Sequence, residues 1–218
     1  MIVDIDACFF SCKQSILGMQ EAFYCSSKVL TVSFHKYELG FFPVNSGGLN
    51  EIGETWGKGF NINIPLQHGI NDQQYQMIFS RLLPQINSTF QPDVYVVQCG
   101  ADTLFNDPMK SFNLTTKSIL NCLDEVIQLN KPMLILGGGG YNHADTARLW
   151  TSIVGLCLNA KLDNDIPEHD YFSLYGPDFT LETWPGTCSN KNTDDYLNSL
   201  IEFIEKNQIE CMKSQVHQ

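Results

Sequence analysis

The sequence has no apolar run of twenty residues and few basic residues. Lys and Arg together number 13 against 24 Asp and Glu, which gives a formal net charge of -11 at pH 7. A helix needs about 20 mostly apolar residues to cross a bilayer, so no segment is predicted to span a membrane. Nucleic acids and anionic membranes attract basic surfaces, and this sequence has no Lys/Arg cluster longer than a pair. Binding to either is therefore disfavoured, whereas a basic peptide partner suits the acidic balance.

Neither a signal peptide nor a disulfide framework is predicted. The N-terminus has neither a basic segment nor a clear cleavage site of small residues. The cysteines are scattered, and several lie inside apolar runs such as "VVQCG" and "IVGLCL". Such cysteines are typical of buried thiols in a reducing compartment, so we expect the cytosol or the nucleus. The eight are Cys8, Cys12, Cys25, Cys99, Cys122, Cys157, Cys188 and Cys211.

Strand-like and helix-like segments alternate along the 218 residues. Runs nearly continuous in Val, Ile and Leu predict strands buried on both faces of a parallel sheet, at 1–5, 93–99 and 132–137, with a fourth strand at 28–34. Apolar residues at helical spacing predict helices over 71–86, 114–130, 143–159 and 192–208. Residues 36–60 are rich in glycine and aromatics without a period, which predicts a long surface loop. The pattern indicates one α/β domain.

Polar residues and glycines follow three of the predicted strands. The first strand carries Asp4 and Asp6, the second leads into Asp102 and Asp107, and the third into "LGGGGYN" with Tyr141. Open parallel sheets bind ligands beyond the carboxyl ends of their strands. Each residue also has a structural interpretation, because Asp after a strand is a common turn former or helix cap and Tyr is common in cores.

The glycine run and the carboxylates allow several kinds of site. Backbone N–H groups before a helix favour binding of a phosphate, but the glycine run lacks the spacing of the known nucleotide-binding motifs. Consecutive glycines also permit close approach of the backbone to a ligand. Asp6 and Asp102 on neighbouring strand ends can share a divalent cation. Cys8 lies two residues after Asp6, on the same face of an extended strand, and its thiolate is a competent zinc ligand. The Tyr141 hydroxyl can donate a hydrogen bond to a developing oxyanion.

Four long segments resemble the class I zinc-dependent histone deacetylases: "SFHKYELGFFP", "VVQCGADTLFNDPMKSFNLT", "LILGGGGYNHADTARLW" and "IPEHDYFSLYGPDF". Ala101 and the run from Asp107 to Met109 resemble the histone deacetylase 8 branch. The resemblance implies an arginase/deacetylase-like α/β fold, a parallel sheet flanked by helices, of which only the C-terminal part is represented. It divides the chain into a partial catalytic domain at 1–190 and an amphipathic C-terminal helix at 191–218 that packs on it.

The resemblance also implies roles for individual residues. One zinc ion would be held by Asp6 and Asp102, with Cys8 at the position of a histidine ligand. Tyr141 would polarise the acetyl carbonyl, and the channel for acetyl-lysine peptides, such as histone tails, would be lined by Phe42, Met109, Gly139 and Gly140. A structural potassium ion would use Asp4, Asp6, Ser33 and Phe34, and a second would use Phe23, Ser26 and Val29. A protein of this family is expected in the nucleus and the cytoplasm.

Two departures from the family pattern affect the expected activity. The stretch "ACFFSCKQSILG" replaces the Leu-His-His-Gly-Asp-Gly loop, so the histidine zinc ligand is absent. The paired histidines that act as general base and acid lie upstream of the first strand in the family, and none of His35, His68, His143 and His169 matches them.

These departures leave three interpretations. In the first, the sequence is an incomplete or mis-spliced representation of a deacetylase. In the second, it is a truncated, inactive relative that only binds partners or acyl-lysine. In the third, it is another hydrolase on the same fold. Acetylpolyamine deacetylases and ureohydrolases are the candidates for the third, although a ureohydrolase needs more Asp and His ligands for its two manganese ions than remain. We expect the polypeptide alone to be inactive and, because a sheet edge would lack its neighbours, prone to aggregation.

Overall fold

Among the described residues, five parallel strands form the centre of the fold. They are β1 (Ile2–Ile5), β2 (Thr31–Lys36), β3 (Asn61–Leu66), β4 (Tyr95–Cys99) and β5 (Met133–Gly137), and they form one sheet in the order β3-β2-β1-β4-β5. The computed structural model describes residues 1–5, 16–41 and 46–216. The parallel pairing and the helices between the strands confirm the predicted α/β class.

In the part of the chain that the structure describes, six α-helices connect or flank the strands. They are α1 (Ile16–Phe23), α2 (Asp72–Phe90), α3 (Thr116–Ile127), α4 (His143–Cys157), α5 (Asp194–Phe203) and α6 (Glu210–Val216), with a π-helical segment, Ile204–Ile209, between the last two. Asn71 and Asn142 cap α2 and α4, because their side chains accept hydrogen bonds from Gln74 N and Asp145 N. Within the described ranges, none of the helices combines the length and apolar character that a membrane crossing requires.

One face of the sheet carries the apolar core. Phe34 of β2 packs against Tyr75 and Phe79 of α2, with ring centroids 5.7 and 5.1 Å apart. Alternate strand residues on this face are buried as well, including Val3, Ile5, Val32, Ile62, Ile64, Tyr95, Val97 and Cys99. Their side chains point to the same face because parallel register aligns them across the strands. The helices on this face therefore fix the positions of the strand ends.

The opposite face of the sheet is partly polar. Asn61 and Asn63 of β3 donate hydrogen bonds to the Gln20 side chain of α1, each over 3.2 Å, and Thr31 of β2 donates to Asn61. The same two asparagines donate to the carbonyl oxygen of Glu51. Buried polar groups are stable when they are hydrogen-bonded, and this network ties α1 and the loop before β3 to the sheet.

Three local expectations differ from the structure. Met133–Gly137 form β5 within the predicted segment 132–137, but Leu134 and Leu136 are 53% and 39% exposed, because β5 lies at the edge of the sheet. Cys157, expected to be buried, is exposed on α4, whereas Cys99 and Cys122 are buried as expected. Strand β3 and helix α1 were not predicted. The β3 sequence, "NINIPL", alternates Asn with Ile and includes a proline, which obscures the pattern of a buried strand.

Candidate functional site

The carboxyl ends of β1, β4 and β5 lie side by side at one end of the sheet, which we call the rim. Asp4 of β1 pairs in register with Gln98 of β4, and Asp102 follows β4 in a short helical turn, Ala101–Thr103. Asp4 is 2% exposed and Asp102 is fully buried. The loop after β5 is joined to this turn, since Ala101 N donates a hydrogen bond to Gly139 O over 2.7 Å. The topology thus brings the predicted carboxylates and glycines to the same rim.

Gly139 lies directly against the carboxylate of Asp102. A Cβ atom added at Gly139 would lie 2.1 Å from Asp102 Oδ2 and 2.5 Å from its Cγ, which no real contact allows. At Gly140, a Cβ would lie 2.7 Å from Thr146 Oγ1, and φ is +147°. Only glycine fits both positions without moving a neighbour. The structure therefore gives each glycine a concrete role: Gly139 lets the backbone approach the Asp102 side chain, and Gly140 lets it approach Thr146 and Ala101.

Asp107 fixes the backbone at Tyr141. Its Oδ2 accepts hydrogen bonds from Tyr141 N over 2.6 Å and Asn142 N over 3.2 Å, and its Oδ1 accepts one from Met109 N over 2.9 Å. Asp107 is 1% exposed, while the Tyr141 side chain is 37% exposed. A buried carboxylate with three backbone donors holds its loop in one geometry. Residue patterns placed Asp107 at the rim but did not assign it this positioning role.

The residues predicted for a first potassium site include a connected group of side chains. Ser33 Oγ lies 2.8 Å from His35 Nδ1 and 3.4 Å from Asp4 Oδ2, and His35 Nε2 lies 2.9 Å from Gly47 O. A carbonyl oxygen only accepts, so Nε2 carries the imidazole proton and Nδ1 accepts from Ser33. Burial lowers the pKa of His35 to about 4, which keeps the ring neutral at pH 7. Phe34 lies beside Ser33 in β2; the ion itself remains a prediction.

The residues predicted for a second potassium site lie in the connection between α1 and β2. Ser26 N donates a hydrogen bond to Phe23 O over 2.8 Å, so these two residues share one turn, and Val29 follows three residues later. Glu54 N donates to the neighbouring carbonyl of Tyr24 over 2.9 Å. Backbone oxygens are concentrated here, but the ion again remains a prediction.

Three predicted site residues, Asp6, Cys8 and Phe42, lie outside the described residues. Over 1–5, 16–41 and 46–216, no group of three or more His, Cys, Asp and Glu side chains is arranged to hold a metal ion. Of the predicted zinc ligands, Asp102 lies within the described residues, where it is buried. Met109, predicted to line the channel, is half-buried on the loop held by Asp107. The full zinc ligand set therefore remains a prediction.

The sequence matches the family model described as "Histone deacetylase domain" over residues 1–157. It is 43% identical to histone deacetylase 8 of Xenopus laevis over 190 residues, which is 87% of this chain and 58% of that protein. It is 42% identical to human histone deacetylase 1 over 87% of this chain and 39% of that protein. Histone deacetylase 8 of Danio rerio is 40% identical over 87% of this chain and 50% of its own length.

This chain belongs to the histone deacetylase family. The parallel sheet flanked by helices is accordingly the deacetylase-like α/β fold that the resemblance implied. The chain spans about half the length of the curated relatives that it matches. Within the deacetylase family match lie Asp4, Asp102, Asp107, Gly139 and Tyr141, the residues that build the rim.

Proposed function

We propose that this chain carries the metal-binding and carbonyl-polarising part of a zinc-dependent lysine deacetylase site. The observation that carries the proposal is the contact between the buried Asp102 carboxylate and the backbone of Gly139, two residues before Tyr141. This contact supports a shared site for Asp102 and the glycine run that leads into Tyr141. The relatives are named histone deacetylases, which supports acetyl-lysine as the substrate class.

Asp102 fits the requirements of a zinc ligand. Its side chain is fully buried at the carboxyl end of β4, and a glycine rather than a larger residue lies against its Oδ2 atom. Asp6 and Cys8 would complete the ligand set, with Cys8 at the position of a histidine. A bound zinc would act as a Lewis acid toward the acetyl carbonyl and lower the pKa of a bound water. A thiolate ligand would make it a weaker Lewis acid than imidazole does.

Tyr141 and the glycines would handle the acetyl group. The Tyr141 hydroxyl would donate a hydrogen bond to the carbonyl oxygen, where negative charge develops. Asp107 would keep this hydroxyl in place through the Tyr141 backbone N–H. Gly139 and Gly140 would lie next to the acetyl group, and Phe42 and Met109 would line the channel for the lysine stem. Structural potassium ions at the two predicted positions would stabilise the strand ends. We place such a protein in the nucleus and the cytoplasm.

We propose that the 218-residue polypeptide alone turns over little or no acetyl-lysine. A general base typically contributes about 10²–10⁴-fold to the rate, and His35, His143 and His169 are poor candidates for that role. His35 is buried and bonded to Ser33 and Gly47 O. His143 is exposed at the first turn of α4, and His169 packs among Tyr171, Phe172 and Tyr175. This arrangement favours a second candidate function, binding of acyl-lysine peptides without hydrolysis.

Zinc content and turnover, measured on the same sample, test the proposal. The purified chain is loaded with zinc, dialysed and analysed for metal, and an acetyl-lysine peptide is then assayed for release of acetate. We expect bound zinc without turnover. Turnover comparable with that of a complete relative would refute the inactivity of the chain, and absence of zinc from folded protein would refute the metal site. Peptide binding measured by fluorescence anisotropy distinguishes the binding function from no function.

A further inference from the structure

A cleft of about 420 Å³ lies between helices α3 and α4 and the segment that follows α4, and we call it the α3–α4 cleft. Its apolar lining comes from Leu120 of α3, Leu156 of α4, and Leu162 and Leu181 of that segment. Clefts that bind small molecules typically have volumes of about 300–1,000 Å³ and combine apolar surface with a few polar groups. Among the described residues, those that line this cleft include none of the rim, so the cleft is separate from the candidate metal site.

Gly155 of α4 shapes one wall of the cleft. A Cβ atom added at this position would lie 2.6 Å from Leu162 Cδ1, so Leu162 packs directly against the backbone of the helix. Glycine is a poor helix former, and its presence near the end of α4 is explained by this close approach. Leu162 is 40% exposed, and it lines the cleft from the segment that follows the helix.

Hydrogen bonds fix the polar wall of the cleft. Leu181 N donates to Asn164 O over 2.7 Å, and Glu182 N donates to Asn164 Oδ1 over 3.0 Å. Arg148 of α4 joins this wall to the helix, because its Nε donates to Thr180 O over 2.7 Å. A ligand that enters a fixed cleft loses little free energy to the ordering of the protein, so the site is largely formed before binding.

The segment that forms this wall is strongly acidic. Residues 160–182 contain six Asp and Glu against one Lys, which is a formal charge of -5 out of -11 for the whole chain. Two of these acids, Asp163 and Glu182, line the cleft, together with Lys117 of α3. Both carboxylates are exposed, and neither takes part in an ion pair with another residue of the described ranges. The cleft therefore favours a cation over an anion.

We infer that the α3–α4 cleft binds a small organic cation, in which a primary amine is attached to an apolar body about the size of an indole ring. The apolar body would lie against the leucines of the cleft, and the ammonium group would lie near the carboxylates of Asp163 and Glu182. Apolar contact supplies the affinity, and the charged end selects the amine over a neutral or anionic molecule of the same shape. This inference is independent of the proposed deacetylase site, because it uses neither the metal ligands nor Tyr141.

Three indole compounds that differ in charge test the inference. Tryptamine is a cation, tryptophol is neutral and indole-3-propionate is an anion, and each is titrated into the purified chain while backbone amide signals are followed by NMR. We expect saturable shifts at Leu120, Leu156 and Leu162, with tryptamine binding at least about fivefold more tightly than indole-3-propionate. The preference for tryptamine should shrink at high salt. Equal affinity for the three compounds, or shifts that leave these amides unmoved, would overturn the inference.

Charge substitutions separate the cleft from the general acidity of the chain. Asp163→Asn with Glu182→Gln should weaken tryptamine binding at least about fivefold and leave tryptophol unchanged, whereas Lys117→Gln should strengthen tryptamine binding. Glu168→Gln with Asp170→Asn is the matched control, since it removes the same charge from exposed positions of the same segment outside the cleft. Circular dichroism checks that each variant keeps its secondary structure. Equal weakening by the two double variants would show non-specific attraction and would overturn the inference.

Discussion

The two edges of the sheet differ in how they are finished. At β3, the C-terminal segment covers the edge. Tyr196 of α5 donates a hydrogen bond to Pro65 O over 2.6 Å. The side-chain amide of Asn192 accepts from Gln67 N and donates to Gln67 O, each over 2.8 Å. At β5, no comparable segment of the described ranges lies over Leu134 and Leu136, which are exposed. The comparison teaches that two edges of one sheet can differ in burial, because a later segment of the chain covers β3 and no described segment covers Leu134 and Leu136 in the same way.

The largest expected effect is on core packing at the covered edge. Ile64→Ala removes a fully buried side chain from β3 and leaves a cavity, so we expect the free energy of unfolding to fall by about 2–5 kcal/mol. Leu134→Ala on β5 is the matched substitution at the open edge, and its effect should be within about 0.5 kcal/mol. Urea denaturation of both variants measures the difference. Equal losses would show that the two edges are packed alike.

A smaller effect is expected from the hydrogen bond that joins α5 to β3. Tyr196→Phe removes the hydroxyl that donates to Pro65 O and leaves that carbonyl unpaired, at a cost of about 1 kcal/mol. Tyr171→Phe, at a residue that is 68% exposed, is the control and should change nothing measurable. If thermal unfolding of the two variants coincides, α5 does not cover the β3 edge through this bond.

The ion pairs of Glu38 should contribute least and should depend on pH. Glu38 lies 3.2 Å from Lys36 at the end of β2 and 2.7 Å from Lys191 before α5. Hydrogen bonds from Lys191 and Lys36 lower the pKa of Glu38 below 4.5. A lowered pKa in the folded state stabilises above pH 4.5, and that stability is lost as pH falls through the folded pKa.

Because Glu38 is exposed, its contribution at pH 7 should not exceed about 1 kcal/mol. Glu38→Gln should lower the free energy of unfolding by that amount at pH 7 and by less at pH 3.5. Urea denaturation at both pH values measures this, with Glu168→Gln, at an exposed carboxylate, as the control. A loss that is the same at both pH values would contradict an electrostatic origin.

Much of the rim could be predicted from the sequence, because its residues follow strands and occur in distinctive runs. The runs around Asp102 and from Gly137 to Tyr141 predicted residues that lie at the rim. The positioning role of Asp107 could not be predicted, since it depends on backbone N–H groups 34 and 35 residues away. The contact of Thr115 could not be predicted either: it is the N-cap residue of α3, but its hydroxyl donates to Asp72 of α2 instead of accepting from the helix.

The burial of the two edge strands, β3 and β5, could not be predicted from their composition. "MLILG" reads like a strand covered on both faces, yet β5 is an edge strand. "NINIPL" looks too polar for a buried strand, yet all of β3 is buried because Asn61 and Asn63 bond to Gln20 and to the Glu51 carbonyl. Local sequence reports which residues are apolar, while burial depends on which segments the whole chain brings to each edge.

The zinc affinity of a set of variants tests the central claim most directly. Competition with a chromogenic chelator would compare the chain with Asp102→Asn, Cys8→His and, as a control at an exposed carboxylate, Asp93→Asn. We predict one zinc per chain, at least about tenfold weaker binding for Asp102→Asn, tighter binding for Cys8→His and no change for Asp93→Asn. Equal zinc affinity in all four folded proteins would contradict a metal site at the rim of β1 and β4.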